Sequence, residues 1–167
     1  MSSFVSQKFS SLNARWFAES FSVASIYLYV GKSLAWANED SPPTANDTTD
    51  NHNRIWDNMA GAVRVRQDQV SLGIKRNNWT SGKPYERWHH ANTALDNFYV
   101  LAGAMDRDVY KCLDNNGRSF SSAKPNHRNL GATKERDGYV WKYMYTIPES
   151  HFKRFATSTI IPVFTNA

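Results

Sequence analysis

The stretch Tyr139-Val140-Trp141-Lys142-Tyr143-Met144-Tyr145-Thr146-Ile147 is the clearest secondary-structure signal in the chain. Every second residue in it is aromatic: Tyr139, Trp141, Tyr143 and Tyr145. Because a β-strand places alternate side chains on the same side, we expect this aromatic row to share one face of a strand. Pro148 follows directly and ends the strand, since proline cannot donate to a ladder. The row predicts that Trp141 lies in the core.

Six shorter apolar segments bounded by turn-forming residues also predict strands. They are Ser25–Gly31, Ala62–Arg66, Val70–Lys75, Phe98–Ala102, Val109–Leu113 and Thr159–Phe164. In the first of these, Ile26, Leu28 and Val30 alternate with Tyr27 and Tyr29. The sequence Asn115-Asn116-Gly117 is typical of a turn.

Helices are few. An N-terminal helix is indicated by the 3–4 spacing of Val5, Phe9, Leu12 and Trp16, with Ser2 or Ser3 as its cap. A short second helix would be capped by Asp50, carry Ile55, Trp56 and Met59, and end at Gly61. A helical turn with Phe152 and Phe155 precedes the last strand. We therefore expect an α+β fold dominated by strands, in a mostly antiparallel sheet or sandwich.

Long polar loops are expected at about 37–53, 77–97 and 115–137. The first two lack hydrophobic periodicity, so we expect them to make no core contacts and to be mobile in the isolated chain. The length of 167 residues suits a single domain spanning 1–167.

Composition limits the class of protein. The formal charge of +5 allows an anionic partner without requiring one. A single cysteine, Cys112, excludes an intrachain disulfide. The longest apolar run, Ile26–Val30, is far shorter than the roughly 20 residues of a transmembrane helix, and Met1–Ser20 has no signal-peptide pattern. We expect a soluble protein without a membrane span, made in a reducing cytoplasm.

Motifs for catalysis or cofactor binding are weak. Gly31-Lys32-Ser33 follows a strand, but a phosphate loop needs a second glycine where Ile26 stands. The five histidines lack zinc spacing, and His89-His90 would point to opposite faces of a strand. The pair Asp106 and Asp108 is more typical of a turn than of a divalent-ion site. We expect no cofactor, no metal, no small-molecule substrate and no catalytic residues.

A basic patch leaves a second hypothesis open. Arg64, Arg66, Lys75 and Arg76, with Trp79 nearby, combine charge with an aromatic ring, as single-stranded nucleic-acid sites do. The alternation of Arg64 and Arg66 with valines is equally typical of a half-exposed strand. A basic accessory protein that binds nucleic acid is therefore the alternative function.

Aromatic residues in polar loops favour an assembly component. Large rings in loops supply much of the binding energy at protein interfaces. The interface candidates on this basis are Trp36, Trp79, Tyr85 and Trp88.

The order of several motifs resembles the gene-eight baseplate wedge proteins of T4-like contractile-tailed phages. The matching residues are Lys8-Phe9; Ile26-Tyr27-Leu28-Tyr29-Val30-Gly31-Lys32-Ser33 with Trp36; Trp56, Met59, Gly61, Val63 and Val65; Arg76 and Trp79; Val109-Tyr110-Lys111-Cys112-Leu113-Asp114; and Asp137-Gly138-Tyr139-Val140-Trp141 with Ile147-Pro148. T4-type members continue past the segment that resembles Ile160-Ile161-Pro162-Val163. The chain is thus either a short homologue or a fragment.

The resemblance implies a structural protein of the virion, located in the tail baseplate and made in the host cytoplasm. Such a protein holds neighbouring wedge proteins together during assembly and sheath contraction, and is not an enzyme. Its implied partners are other baseplate and tail proteins, with a second copy of the chain as another candidate and no specific nucleic acid.

Overall fold

The structure, a computed structural model, describes residues 7–31, 38, 40–41, 44, 47–91 and 96–164. This part of the chain contains three α-helices and eight strands, and the strands pair with one another in antiparallel fashion. In chain order they are α1 Gln7–Ser20, β1 Ile26–Gly31, α2 Thr49–Asp57, β2 Met59–Val65, β3 Gly73–Lys75, β4 Tyr99–Ala102, β5 Asp108–Asp114, β6 Ala132–Lys134, β7 Val140–Thr146, α3 Glu149–Phe155 and β8 Ile160–Pro162. The predicted strand-dominated α+β class is confirmed.

Two compact units make up the chain. One comprises Asn13–Val70 and is called here the ribbon unit; the other, the sheet unit, comprises Ser71 onward together with the residues up to Leu12. The division into compact units does not test whether the chain unfolds cooperatively as one domain. The single domain spanning 1–167 therefore stays a prediction.

The sheet unit is built on a four-stranded sheet in the order β4-β5-β7-β6. Both faces of its centre are buried. One face carries Val100, Tyr110, Cys112, Tyr139 and Trp141. The other carries Leu101, Val109 and Ile147, which pack with Ile161 of β8, Ile74 of β3 and Phe152 of α3. Because side chains alternate along each strand, neighbouring residues such as Val100 and Leu101 contribute to opposite clusters.

A β-bulge divides the aromatic row of β7. Val109 pairs with Tyr145, but the next residue, Tyr110, pairs with Tyr143, so Met144 is an extra residue in the ladder. Tyr143 packs on the cluster of Tyr139 and Trp141, whereas Tyr145 packs on the opposite cluster. The prediction that all four rings share one face is therefore wrong for Tyr145.

The second helix begins earlier than predicted. Thr48, not Asp50, is its N-cap, because the Thr48 side chain accepts a hydrogen bond from the backbone N–H of Asn51 at 3.3 Å. Asp50 lies inside the helix and pairs with Arg54 at 3.1 Å. The helix ends at Asp57, and Gly61, the predicted terminator, pairs with Val30 inside β2.

Other boundaries also differ. The strand predicted over Val70–Lys75 is limited to β3, since a 3-10 turn at Gln67–Gln69 precedes it. The loop predicted at about 115–137 contains β6, whose three residues have no local strand signal and are held by pairing with β7. The predicted loop at about 37–53 includes the first residues of α2. Most of the rest of that loop, with Ser2, Ser3 and Val5, lies outside the described residues.

The excursion at about 77–97 is anchored rather than free in its described part. Tyr85 is 3% exposed and belongs to the core, and Trp79 packs against the same cluster. The backbone N–H of Tyr85 donates to the Tyr139 hydroxyl at 3.2 Å, and the Asn115 side chain donates to the Tyr85 carbonyl at 3.0 Å. The expectation that this loop makes no core contacts is wrong, because its aromatic side chains cover one face of the sheet.

Asp137 ties the segment after Phe120 to the start of β7. Its Oδ2 accepts hydrogen bonds from the Ser121 hydroxyl at 3.0 Å and from the backbone N–H groups of Ser122 and Ala123 at 2.8 and 2.9 Å. Its Oδ1 accepts from the N–H of Tyr139 at 3.1 Å. Burial by itself would raise the pKa of this carboxyl, but the four hydrogen bonds outweigh it and lower the pKa below its usual value.

We expect Asp137→Asn to reduce the free energy of unfolding by about 1–2 kcal/mol at neutral pH, since the amide offers one oxygen where the carboxylate offers two. The folded-state pKa is depressed, so the carboxylate contributes stability above its unfolded pKa and loses it as pH falls. Urea denaturation of both proteins should show the difference shrinking between about pH 5 and pH 2. A difference that stays constant over this range would contradict the role of the charge.

Trp141→Ala should cost about 3–5 kcal/mol, which approaches the stability of a whole small domain. Trp141 is fully buried, stacks on Tyr139 with ring centroids 5.6 Å apart, and meets Tyr85 edge-to-face at 5.6 Å. The control is Trp56→Ala, which removes a ring that is 71% exposed and should stay within about 0.5 kcal/mol in the isolated chain. Equal effects of the two changes in urea denaturation would refute the core assignment.

Candidate functional site

The ribbon unit consists mainly of an antiparallel pair of strands and two helices. β1 pairs with β2 from Ile26 opposite Val65 to Val30 opposite Gly61. α2 leads into β2 with only Asn58 between them, and the Asn58 side chain caps the helix by donating to the Arg54 carbonyl at 2.8 Å. These local hydrogen bonds define the ribbon.

One face of the ribbon is entirely aliphatic. Cross-strand partners share a face, so Ile26, Leu28 and Val30 lie together with Val63 and Val65. No charged residue interrupts this group, yet Leu28 is 63% exposed, Val30 is 66% exposed and Val63 is 58% exposed. An uncharged aliphatic face of this kind is costly to leave in water.

The opposite face of the ribbon forms one side of a concave pocket with a volume of about 590 Å³. Its lining consists of Tyr27, Tyr29, His52, Ile55, Trp56, Met59 and Ala62. Trp56, on α2, remains 71% exposed. His52, the one histidine of this lining, contacts Asp47 with 2.8 Å between Nε2 and Oδ1. The pocket is thus apolar and aromatic, with one polar pair at His52.

No residue of Asn13–Val70 that the structure describes is buried. All twelve buried apolar residues of the described chain belong to the sheet unit. Two-stranded ribbons are marginally stable in water by themselves, because they need at least a third strand or a packed helix to bury a face. The described residues of the ribbon unit therefore have ordered backbone hydrogen bonds but form no core of their own.

The outer edge of β1 adds to this surface. Within the described residues, β1 pairs only with β2, so its other edge presents unpaired backbone groups. Natural proteins protect such edges with charges, proline or bulges. Ile26–Val30 contains no charge and no proline, and the register shift of the described ladder lies at its end, between Val30 and Gly31. The part of α1 that belongs to the ribbon unit presents further exposed apolar side chains at Trp16 and Phe17.

The predicted interface candidates have different environments. Tyr85 is buried, and Trp79 is half-buried with its indole N–H donating to the Ser121 hydroxyl at 3.1 Å, so both serve the core. Trp88 is 38% exposed and therefore accessible to a partner. Trp36 lies outside the described residues. Of the described candidates, only Trp88 has the exposure that an interface residue needs.

The sequence-based candidates missed the ribbon. Its exposed residues include Tyr27, Leu28, Val30 and Trp56. One signal was available: Ser25–Gly31 is apolar at both odd and even positions, and such strands are typical of sheets covered on both faces. A local pattern does not indicate which residues of the chain, if any, supply that cover.

The candidate acidic pair is engaged in structural contacts. The Lys124 Nζ lies 2.6 Å from Asp106 Oδ1. Asp108 is 4% exposed; its Oδ1 lies 3.1 Å from Arg128 Nη2 and accepts a hydrogen bond from the Thr146 hydroxyl. Across the part of the chain that the structure describes, no group of three or more His, Cys, Asp or Glu side chains could hold a metal ion. Burial raises the pKa of the Cys112 thiol to about 12, which leaves it protonated and unreactive at neutral pH.

The predicted basic patch is divided between the units. Arg64 and Arg66 belong to the ribbon unit, where Arg66 pairs with Asp68 at 3.3 Å. Lys75 of the sheet unit pairs with Asp96, and Arg76 donates to the Thr157 carbonyl at 2.9 Å. Three of the four cations are therefore engaged by groups of the chain itself.

Comparison with known proteins adds no relative. No protein-family model matches the chain, and no curated protein matches it significantly. None of the described helices is both long enough and apolar enough to cross a membrane. The fold and its surfaces define an α+β protein with an apolar ribbon that its own described residues leave uncovered.

We expect the backbone amides of β1 and β2 to exchange with deuterium quickly in the isolated protein, since none of the described side chains of the ribbon unit is buried. The amides at the centre of β5 and β7 should exchange slowest, because buried side chains cover both faces there. Native-state exchange followed by mass spectrometry of peptides measures both in one sample. Protection of β1 equal to that of β7 would contradict the absence of a core in the ribbon unit.

Proposed function

We propose that the protein is a structural component of a contractile phage tail, a baseplate wedge subunit, and that the ribbon unit is its attachment surface. The observation that carries this proposal is the absence of any buried side chain in the described part of Asn13–Val70. The ordered motifs that resemble the wedge family support the same role. A protein that works only in an assembly can leave one unit without a core, because neighbours supply the burial.

The energetics favour a protein partner. A standard interface removes about 800 Å² of each partner from water. At about 25 cal/mol per Å² of apolar area, such a contact contributes on the order of 20 kcal/mol before association entropy is subtracted. The aliphatic face, the pocket and the β1 edge together offer this kind of surface.

The two units would divide the mechanical work. The sheet unit has a core on both faces of β5 and β7 and keeps its shape under load. In the ribbon unit, the pocket around Trp56 and Tyr27 receives apolar anchor residues of a neighbour, as aromatic-lined pockets do at interface hot spots. The subunit then stays attached through the ribbon while the surrounding baseplate rearranges.

The alternative function, nucleic-acid binding through the predicted basic patch, has less support. Its side chains belong to two different units, and three of them have partners within the chain. An enzymatic role also has less support, because the pocket of the ribbon unit is lined mainly by apolar and aromatic side chains.

The test replaces one aliphatic residue of the ribbon by a charge. We expect Leu28→Asp to leave the urea stability of the sheet unit unchanged and to abolish incorporation of the chain into tail particles, measured by immunoblotting purified particles. A buried aspartate without a partner costs several kcal/mol at an interface. The matched control is Val23→Asp, which places the same charge at an 88% exposed residue in the turn before β1 and should incorporate normally.

Two results would contradict the proposal. Wild-type chain missing from purified tails would refute the baseplate role itself. Normal incorporation of Leu28→Asp, with wild-type chain present in tails, would show that another surface makes the attachment.

A further inference from the structure

Three lysines lie on one face of the four-stranded sheet, beyond the part covered by β3, β8 and α3. Lys111 of β5 is directly opposite Lys142 of β7, and Lys134 of β6 is opposite Val140. Val140 and Lys142 are two residues apart in β7 and therefore lie on the same face. Their cross-strand partners Lys134 and Lys111 lie on that face too, on the opposite side of the sheet from the cluster of Trp141 and Cys112. We call Lys111, Lys134 and Lys142 the lysine face.

A row of exposed aromatic rings adjoins the lysine face. The backbone N–H of Trp88 donates to the Cys112 carbonyl at 2.9 Å, which ties Trp88 alongside β5. The Lys111 Nζ lies 4.1 Å from the centroid of the Trp88 ring. The His90 ring follows 6.5 Å from Trp88, and the His89 ring stacks 4.7 Å from His90. Trp88, His89 and His90 are all exposed.

The lysine face has uncompensated charge. Like charges directly opposite each other on paired strands are destabilising. The ion pairs of described lysines involve Lys75, Lys124 and Lys153, so none of the three lysines has a described carboxylate within ion-pair distance. Two acidic residues close to these lysines in sequence have other partners: Asp114 accepts a hydrogen bond from the Asn116 N–H, and Glu135, next to Lys134, lies 3.9 Å from the His127 ring nitrogen Nε2. An anion bound between Lys111 and Lys142 would remove their repulsion.

We propose that the lysine face and its ring row bind single-stranded nucleic acid without sequence preference. Ammonium groups contact phosphates, and exposed rings stack with bases, which is the combination that single-strand sites use. A flat face of three adjoining strands cannot enter the major groove of a duplex, whereas a single strand can lie across it with its bases turned toward the rings. An acidic protein segment would pair with the lysines but would leave the rings unused. This site is separate from the ribbon surface and does not depend on the proposed baseplate role.

The test measures fluorescence anisotropy of a labelled oligothymidine of about 12 nucleotides, at about 100 mM salt, with the full chain. We expect Lys111→Glu to weaken binding at least about tenfold, because it removes one cation and neutralises the opposing Lys142. The same change replaces a repulsive pair by an attractive one, so the variant should be no less stable than wild type in urea. The control is Lys83→Glu, an exposed lysine outside the site, which changes the net charge equally and should leave binding nearly unchanged.

A second variant separates stacking from charge. Trp88→Leu should weaken oligothymidine binding about fivefold or more, with an unchanged dependence on salt, since a lost ring contact releases no counterions. Lys111→Glu should instead make that salt dependence shallower. Lys142→Gln removes one positive charge without adding a negative one. It should also weaken oligothymidine binding and make its salt dependence shallower, but less than Lys111→Glu does.

Three results would overturn the proposal. They are no binding at about 100 mM salt, equal weakening by Lys111→Glu and Lys83→Glu, and polyaspartate binding as tight as oligothymidine binding with no effect of Trp88→Leu. The second result would indicate binding by net charge alone, and the third would indicate an acidic protein partner.

Discussion

The pairing of β5 with β7 is the interaction on which the rest of the sheet unit depends. Trp141 lies opposite Cys112, and this pair places one face of both strands under Tyr85 and Tyr139. On the other face, Val109 of β5 and Ile147, the residue after β7, pack with Ile161 of β8. A strand pair buried on both sides excludes water from its backbone hydrogen bonds and so forms the most stable part of the molecule.

The ribbon unit, in contrast, combines local hydrogen bonds with little burial of its side chains. Its two strands pair with each other and its second helix is capped, so both elements have local hydrogen bonds. Yet Leu28 and Val30 on one face and Trp56 at the pocket remain mostly in water. Local structure without burial is a property of surfaces that gain their stability from a neighbour, and this contrast between the units underlies the proposed assembly role.

The lysine face and the ribbon are surfaces of different chemistry. The ribbon offers aliphatic and aromatic area with almost no charge, which suits an apolar protein partner. The lysine face offers ammonium groups beside exposed rings, which suits a polyanion with π-faces. One chain can present both because they lie on different strands: β1 and β2 of the ribbon unit, and β5, β6 and β7 of the sheet unit.

The sequence by itself determined the local elements. The alternation in Ser25–Gly31, the turn at Asn115-Asn116-Gly117 and the aromatic row of β7 predicted strands and turns correctly, since these depend on residues close together in the chain. Only the tertiary structure decided that a bulge at Met144 turns Tyr145 to the other face, that Tyr85 is buried, and that the ribbon is not. Burial and strand register depend on residues far apart in sequence, so a local pattern could not decide which aromatic residues would stay exposed.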